Sequence, residues 1–164
     1  MPSQPSLTVI GWIRSPFKEP AGTPIQPAFS EATQGTVEVL AEYAEALSDL
    51  DGFERIWLLY WLDRAPVPRL RVVPFRDKVE RGLFATRAPC RPNPIGLSCV
   101  RLLGVRDNLL TVGGVDILDG TPLLDIKPYV PEYDAFPHSR AGWLEDHSNS
   151  RTRADDRFGS TECH

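Results

Sequence analysis

Proline and glycine punctuate this chain so often that few long regular elements can form without meeting one. Sixteen prolines and twelve glycines are spread along its 164 residues rather than gathered into a linker. Each proline fixes its own φ, removes a backbone donor and restricts the residue before it. What survives between them is short and strand-like. Residues 7–13, 36–40, 56–62, 70–73, 96–105 and 109–117 are rich in aliphatic and β-branched side chains and are bounded by turn chemistry. Arg106-Asp107-Asn108 reads as the hairpin connection between the last two. One helix is predicted over residues 41–50, where Tyr43, Leu47 and Leu50 fall at i, i+4 and i+7. Several strands with one or two short helices predict a mainly β fold, a single sheet closed into a small β-barrel without exposed edges.

A chain of this length that is 41% hydrophobic fits one ordinary domain. Residues 1–140 are expected to form it. From residue 141 the sequence turns polar, and beyond Trp143 and Leu144 it offers little apolar surface to offset the entropy of ordering, so a mobile tail over 141–164 is expected. No charged segment leads into an apolar one near the start, and no run of eighteen apolar residues occurs. The expectation is a soluble, cytoplasmic protein with no membrane span. Cys90, Cys99 and Cys163 lack the CxxC spacing of zinc and redox motifs. No metal site and no structural disulfide are therefore expected, and Cys99, inside an apolar run, reads as a buried core residue.

Charge is distributed unevenly. Eight basic residues and only two acidic ones lie between Arg64 and Arg91, within a chain of net charge −4. That balance argues against broad attraction to nucleic acid but is compatible with an anionic partner docking on one face; solvated surface arginines give the same count.

Four stretches carry more than packing chemistry. The first is Ile13-Arg14-Ser15-Pro16-Phe17 with Pro24-Ile25-Gln26-Pro27, and the second is the apolar strand that stops at Asp63-Arg64. In the third, from Phe84 to Gly96, three prolines within six residues hold Arg87, Arg91 and Asn93 in fixed positions. A guanidinium held in this way can grip a carboxylate or phosphate bidentately, and an asparagine amide can read a base edge. The fourth runs from Asp116 to Tyr129. Asp119-Gly120-Thr121-Pro122 is a turn, and Asp125 and Lys127 share one face of the strand that follows, opposite Ile126. The pair is readable as a surface ion pair or, with Asp116 and the basic loop nearby, as part of a polar cluster. No dinucleotide-binding glycine fingerprint, phosphate-loop lysine or HExxH pair is present, which removes support for doubly wound cofactor folds and common zinc chemistry.

In this order, the four stretches closely resemble the TsaA-like family that includes TrmO-type tRNA methyltransferases. The resemblance runs from about residue 10 to 129 and is most specific in Phe84-Ala85-Thr86-Arg87, Arg91 to Gly96, Asp119 to Pro122 and Asp125 to Tyr129. It implies a β-barrel homodimer with S-adenosyl-L-methionine near the subunit boundary. It also implies a tRNA partner, methylated at N6 of threonylcarbamoyladenosine beside the anticodon. Carried over by position, the cofactor contacts are Gln26, Pro27, Ala28, Asp63, Arg64, Arg87, Leu97, Asp119, Gly120, Thr121 and Pro122. Asn93, Asp125, Lys127 and Tyr129 are the candidate catalytic region, with Asp125 as base or acceptor-orienting group, and Arg91 is assigned to the RNA face. Ala28 and Asp63 depart from the glycine and histidine frequent in the family. A regulatory module that binds the cofactor without turnover, or a small-molecule methyltransferase, are the alternatives.

Overall fold

The computed structural model describes residues 5–146 and 151–159. Its strands are β1 (Gly11–Arg14), β2 (Gln34–Val39), β3 (Arg55–Trp61), β4 (Arg71–Val72), β5 (Arg81–Gly82), β6 (Ile95–Arg106), β7 (Leu109–Gly113) and β8 (Thr121–Pro128). Six of them close into one antiparallel barrel in the order β1-β2-β7-β6-β3-β8, and β4 pairs with β5 outside it. The seam joins Gly11 to Leu123 and Ile13 to Thr121. The mainly β barrel read from the sequence is therefore the observed architecture.

Side chains alternate across the barrel wall as a pleated strand requires. On β3, Ile56, Leu58 and Tyr60 are buried while Arg55, Trp57, Leu59 and Trp61 face outward. Ile13, Val37, Val39, Val100, Leu110, Val112 and Leu123 complete the interior. One irregularity changes the alternation. Leu59 pairs with Asp125 but Tyr60 pairs with Leu123, so Leu124 is an extra residue on β8. Beyond this bulge Ile126 packs on the core and Asp125 and Lys127 point out.

Several sequence expectations need correction. The helix over 41–50 is a 3-10 turn, Ala41–Leu47, followed by a second, Leu50–Gly52, with Asp49 between them at φ 66°. Leu47 and Leu50 are buried, so the apolar face was placed correctly. The helix fails because it is short and because Ser48 donates its hydroxyl to the Glu45 carbonyl at 2.8 Å, a competing local bond. β7 stops at Gly113 because Gly114 takes φ +81° and leaves the sheet. The connection before it is as expected, with Asp107 at φ 55° between Arg106 and its partner Leu109.

Of the polar tail, residues 147–150 and 160–164 lie outside the described residues. The indole N–H of Trp143 donates to the Ala85 carbonyl at 2.8 Å. Residues 151–159 lie along the loop at 22–25: Ile25 N donates to Thr152 O, Gly22 N to Ala154 O, and Ala154 N to Thr23 O. Phe158 is buried with Val72, Leu83, Ala88 and Cys90, and stacks edge-on against Phe75. A single aromatic residue thus anchors a segment that is otherwise polar. Cys90 is disulfide-bonded, contrary to the sequence reading, and Cys99 is free and only half-buried, on the outer face of β6 opposite Trp57.

Candidate active site

One end of the barrel is stitched together by three of the four unusual stretches. β3 runs out into Asp63-Arg64, and Arg64 Nη2 donates to the Asp119 carbonyl at 2.9 Å and to Thr121 Oγ1 at 3.2 Å. The turn it grips is closed by Gly120 at φ +76°, a conformation that favours glycine. Asp119 accepts from the Ser15 amide at 3.1 Å and from Lys18 Nζ, and these bonds hold its carboxyl below the usual carboxylate range. Ser15 Oγ donates to the Ile117 carbonyl, tying the end of β1 to the same turn.

The proline-rich loop is braced from inside. Arg91 Nη1 donates to the carbonyls of Thr86 at 2.9 Å, Ala88 at 3.3 Å and Leu83 at 3.4 Å, and its guanidinium lies 5.5 Å from the Phe84 ring centre. The braced loop presents Arg87, whose Nη1 donates to Gln26 Oε1 at 2.6 Å. Among the described residues this neutral amide is the side chain that holds it.

Between these elements lies a cavity of about 350 Å³. Of the residues expected to touch a cofactor, Gln26, Asp63, Arg64, Arg87, Leu97 and Thr121 line it. Pro27 and Ala28 sit in the 3-10 turn Pro27–Phe29 just after Gln26, and Asp119, Gly120 and Pro122 flank Thr121 without reaching the wall. Leu62, Ile117 and Leu118 supply apolar surface, and Ala154 and Phe158 bring the C-terminal segment into the lining. A second cavity of about 540 Å³ adjoins it, sharing Gln26 and Arg87 and lined further by Phe29, Phe84, Arg76 and Trp143.

Behind the lining of the first cavity runs a polar chain that the sequence reading did not separate out, buried at Tyr60 and Ser98 and part-buried at Asp116. Tyr60 OH lies 2.8 Å from Ser98 Oγ, and Ser98 Oγ donates to Asp116 Oδ1 at 2.7 Å. Desolvation pushes the Asp116 carboxyl up to about 7, against the lowering effects of the Ser98 bond and of Arg87. Burial drives the Tyr60 phenol further upward, so it stays protonated. A Cβ at position 96 would come within 2.0 Å of the Tyr60 ring, so only glycine there lets the ring lie flat under β6. Asp116 was grouped in sequence with Asp125 and Lys127; Tyr60 resembled any other core aromatic.

The candidate catalytic residues are placed elsewhere. Asn93 is exposed in the bend between Pro92 and Pro94, its carbonyl accepting from Ile95 N. Asp125 and Lys127 form an ion pair at 2.9 Å on the outer face of β8, and Tyr129 packs against Trp57 with ring centres 5.7 Å apart. None of the four lines the cavity. Among the described residues no cluster of histidine, cysteine or carboxylate is arranged to hold a metal ion, and no helix is long and apolar enough to cross a membrane.

Comparison with known proteins gives this geometry a family. The model of the tRNA-methyltransferase O N-terminal domain matches residues 12–135. A probable S-adenosyl-L-methionine-binding protein of Pyrococcus abyssi is 52% identical over 153 residues, covering 92% of this chain and 83% of that protein. The tRNA (adenine(37)-N6)-methyltransferase of Escherichia coli K12 is 36% identical over 151 residues, covering 83% of this chain and 62% of the enzyme. The crystal structure of TrmO from Pseudomonas aeruginosa superimposes with a TM-score of 0.72 at 41% identity, covering 86% of this chain and 63% of that one. The chain thus spans less than two thirds of the longer relatives, and with the family model matched over residues 12–135 it belongs to the tRNA-methyltransferase O N-terminal domain family.

Proposed function

We propose that this protein binds S-adenosylmethionine in the cavity and transfers its methyl group to an adenosine of tRNA, N6 of threonylcarbamoyladenosine beside the anticodon. The observation that carries the reading is Arg87, a guanidinium fixed by a braced loop and bonded to a neutral amide, at the wall of a largely apolar slot. That combination suits a ligand with a carboxylate at one end and a flat base at the other. The bound cofactor supplies an activated methyl group; the rest of the task is positioning and proton removal, and alignment alone is worth about 7 kcal/mol or more.

The residues divide that work by their chemistry. Arg87 grips the amino-acid carboxylate and Gln26 steadies Arg87, with Pro27 and Ala28 shaping the loop that carries it. Asp63, paired with Arg64 at 3.5 Å, offers a negative charge to the cationic parts of the ligand. Leu97 walls the slot. The turn at Asp119, Gly120, Thr121 and Pro122, held by Arg64, presents backbone groups to ribose or adenine. The aromatic and basic lining of the adjoining cavity supports RNA bases that flank the acceptor, because unstacked bases bind on aromatic faces and arginine planes. Asn93 and Arg91 belong to the loop between cavity and solvent that such an acceptor would meet.

Pairing of two copies is part of the same reading. Ile95 and Leu97 are 41% and 47% exposed on the outer face of β6, beside Trp57, Leu59 and Trp61 of β3. Leu59 pairs with Leu97 on one side and Asp125 on the other. Asp125 therefore lies about 10 Å from Leu97 on the same outer face, and a partner copy seated there would bring Asp125, Lys127 and Tyr129 to the boundary of the cavity, placed to orient the acceptor.

Calorimetry with S-adenosylmethionine, sedimentation equilibrium, and transfer of labelled methyl to tRNA from a strain lacking the endogenous activity test the proposal together. Binding, a dimeric mass and label in adenosine 37 are expected. Absence of binding by folded protein would sink it. Binding without transfer would leave a regulatory module, and turnover without RNA would leave a small-molecule methyltransferase.

A further inference from the structure

An N–H acceptor must lose a proton as it is methylated, and the geometry identifies a group for that step. Two carboxylates line the cavity among the described residues, Asp63 and Asp116. Asp63 is half-exposed at the rim and paired with Arg64. Asp125, the carboxylate suggested by the sequence, is paired with Lys127 on the outer face and does not reach the cavity. Asp116 lines the cavity, part-buried, and Ser98 is the side chain bonded to it.

From this geometry, and resting on the methyl-transfer reading above, we infer that Asp116 takes the proton from the acceptor nitrogen and that Tyr60 and Ser98 are the positioning residues that hold it for the task. Because Tyr60 remains protonated, its hydroxyl donates to Ser98, and Ser98 in turn donates to Asp116 Oδ1. Both hydroxyl protons therefore point toward the carboxylate, which fixes its orientation and leaves Oδ2 for the reacting side. As the new N–C bond forms, the N–H bond breaks and its proton passes to Asp116; the electron pair of the broken S–C bond stays on sulfur. The carboxylic acid then returns its proton to solvent through the cavity mouth.

The charged and titratable groups around Asp116 act in different directions. Arg87 from the proline-rich loop favours its ionised form, as does the Ser98 bond, while desolvation opposes it and prevails. Tyr60 contributes a neutral hydroxyl, and Asp63 and Arg64 share the cavity as a pair of opposite sign. The balance places the carboxyl at about 7, where an acid near the working pH is both ionised often enough and basic enough for general-base work.

The test uses the full chain with three readouts: a carboxyl-carbon NMR titration of cofactor-free protein, calorimetry with S-adenosylhomocysteine, and single-turnover transfer to tRNA as a function of pH. Asp116→Asn is expected to remove the carboxyl titrating near 7 and to slow transfer about 100-fold or more, while binding of the neutral product changes less than about threefold and the variant still unfolds cooperatively. Ser98→Ala removes a bond that favours the carboxylate. It should raise both the NMR pKa and the acid limb of the rate profile by about one pH unit, which a purely structural role would not do. A folded Asp116→Asn protein with a near-normal rate and an unmoved acid limb would overturn the inference, as would an unmoved limb in Ser98→Ala if Asp116→Asn does not fold. A wild-type protein that binds cofactor yet methylates no tRNA would remove the underlying reading, and the inference with it.

Discussion

Arg87 and Arg91 lie four positions apart in one rigid loop and perform different jobs. Arg87 is exposed and bonds across to Gln26; Arg91 turns inward and bonds to three carbonyls of its own loop. Arg87→Ala should therefore lower S-adenosylmethionine affinity at least tenfold with little change in the urea midpoint. Arg91→Ala strips a charged donor from part-buried carbonyls. It should cost about 2 kcal/mol of stability and weaken cofactor and tRNA together, measured by calorimetry and urea denaturation; a selective loss of tRNA affinity and of its salt slope would instead mark a phosphate contact. The rigidity of this loop was legible because proline restricts backbone locally, whatever the rest of the chain does. The direction of Arg91 was not, since the carbonyls it meets at Leu83, Thr86 and Ala88 converge only once the loop has folded. The same limit separates Asp116 from Asp125. Both are aspartates in one stretch, and the outward turn of Asp125 depends on how a distant strand pairs past Leu124.

At the scale of elements, β2, β3 and β6 were readable because each falls in a run rich in aliphatic, aromatic or β-branched residues bounded by turn chemistry, with alternation helping only in β2. β5 is two residues long and exists only through its pairing with β4, so no periodicity announces it. The C-terminal segment is a similar case. Its main-chain bonds to the loop at 22–25 leave no trace in side-chain pattern, and Phe158 is the one visible clue. Phe158→Ala should cost about 3 kcal/mol by opening a void beside Phe75, Val72 and Leu83. Since Phe158 and Ala154 line the cavity, cofactor affinity should fall in the same variant. Denaturation and calorimetry on one preparation would check both, and undiminished affinity in a destabilised protein would show that the segment supports the fold without shaping the slot.

For the molecule as a whole, two carboxylates set opposing pH responses. Asp116 is pushed up from 3.8 to about 7, so the folded state binds more protons than the unfolded one between those values. Its contribution is complete below pH 3.8 and is lost as pH rises through 7. Asp155, held down to about 2 first by its bond to Arg157, contributes above 3.8 and loses that contribution as pH falls toward 2. The thermal midpoint of the wild type should therefore decline from pH 5 to 7.5 more steeply than that of Asp116→Asn, and equal slopes in calorimetric scans would contradict the assignment. The barrel seam adds a requirement of timing. Because Gly11 to Ile13 find one of their two neighbours only in Thr121 to Leu123, the sheet stays open-edged through more than a hundred residues of synthesis. Such long-range pairing slows folding and exposes unpaired backbone to other nascent chains, so the cell's yield of this protein should depend on how quickly β8 follows β1 out of the ribosome or on a chaperone that waits for it.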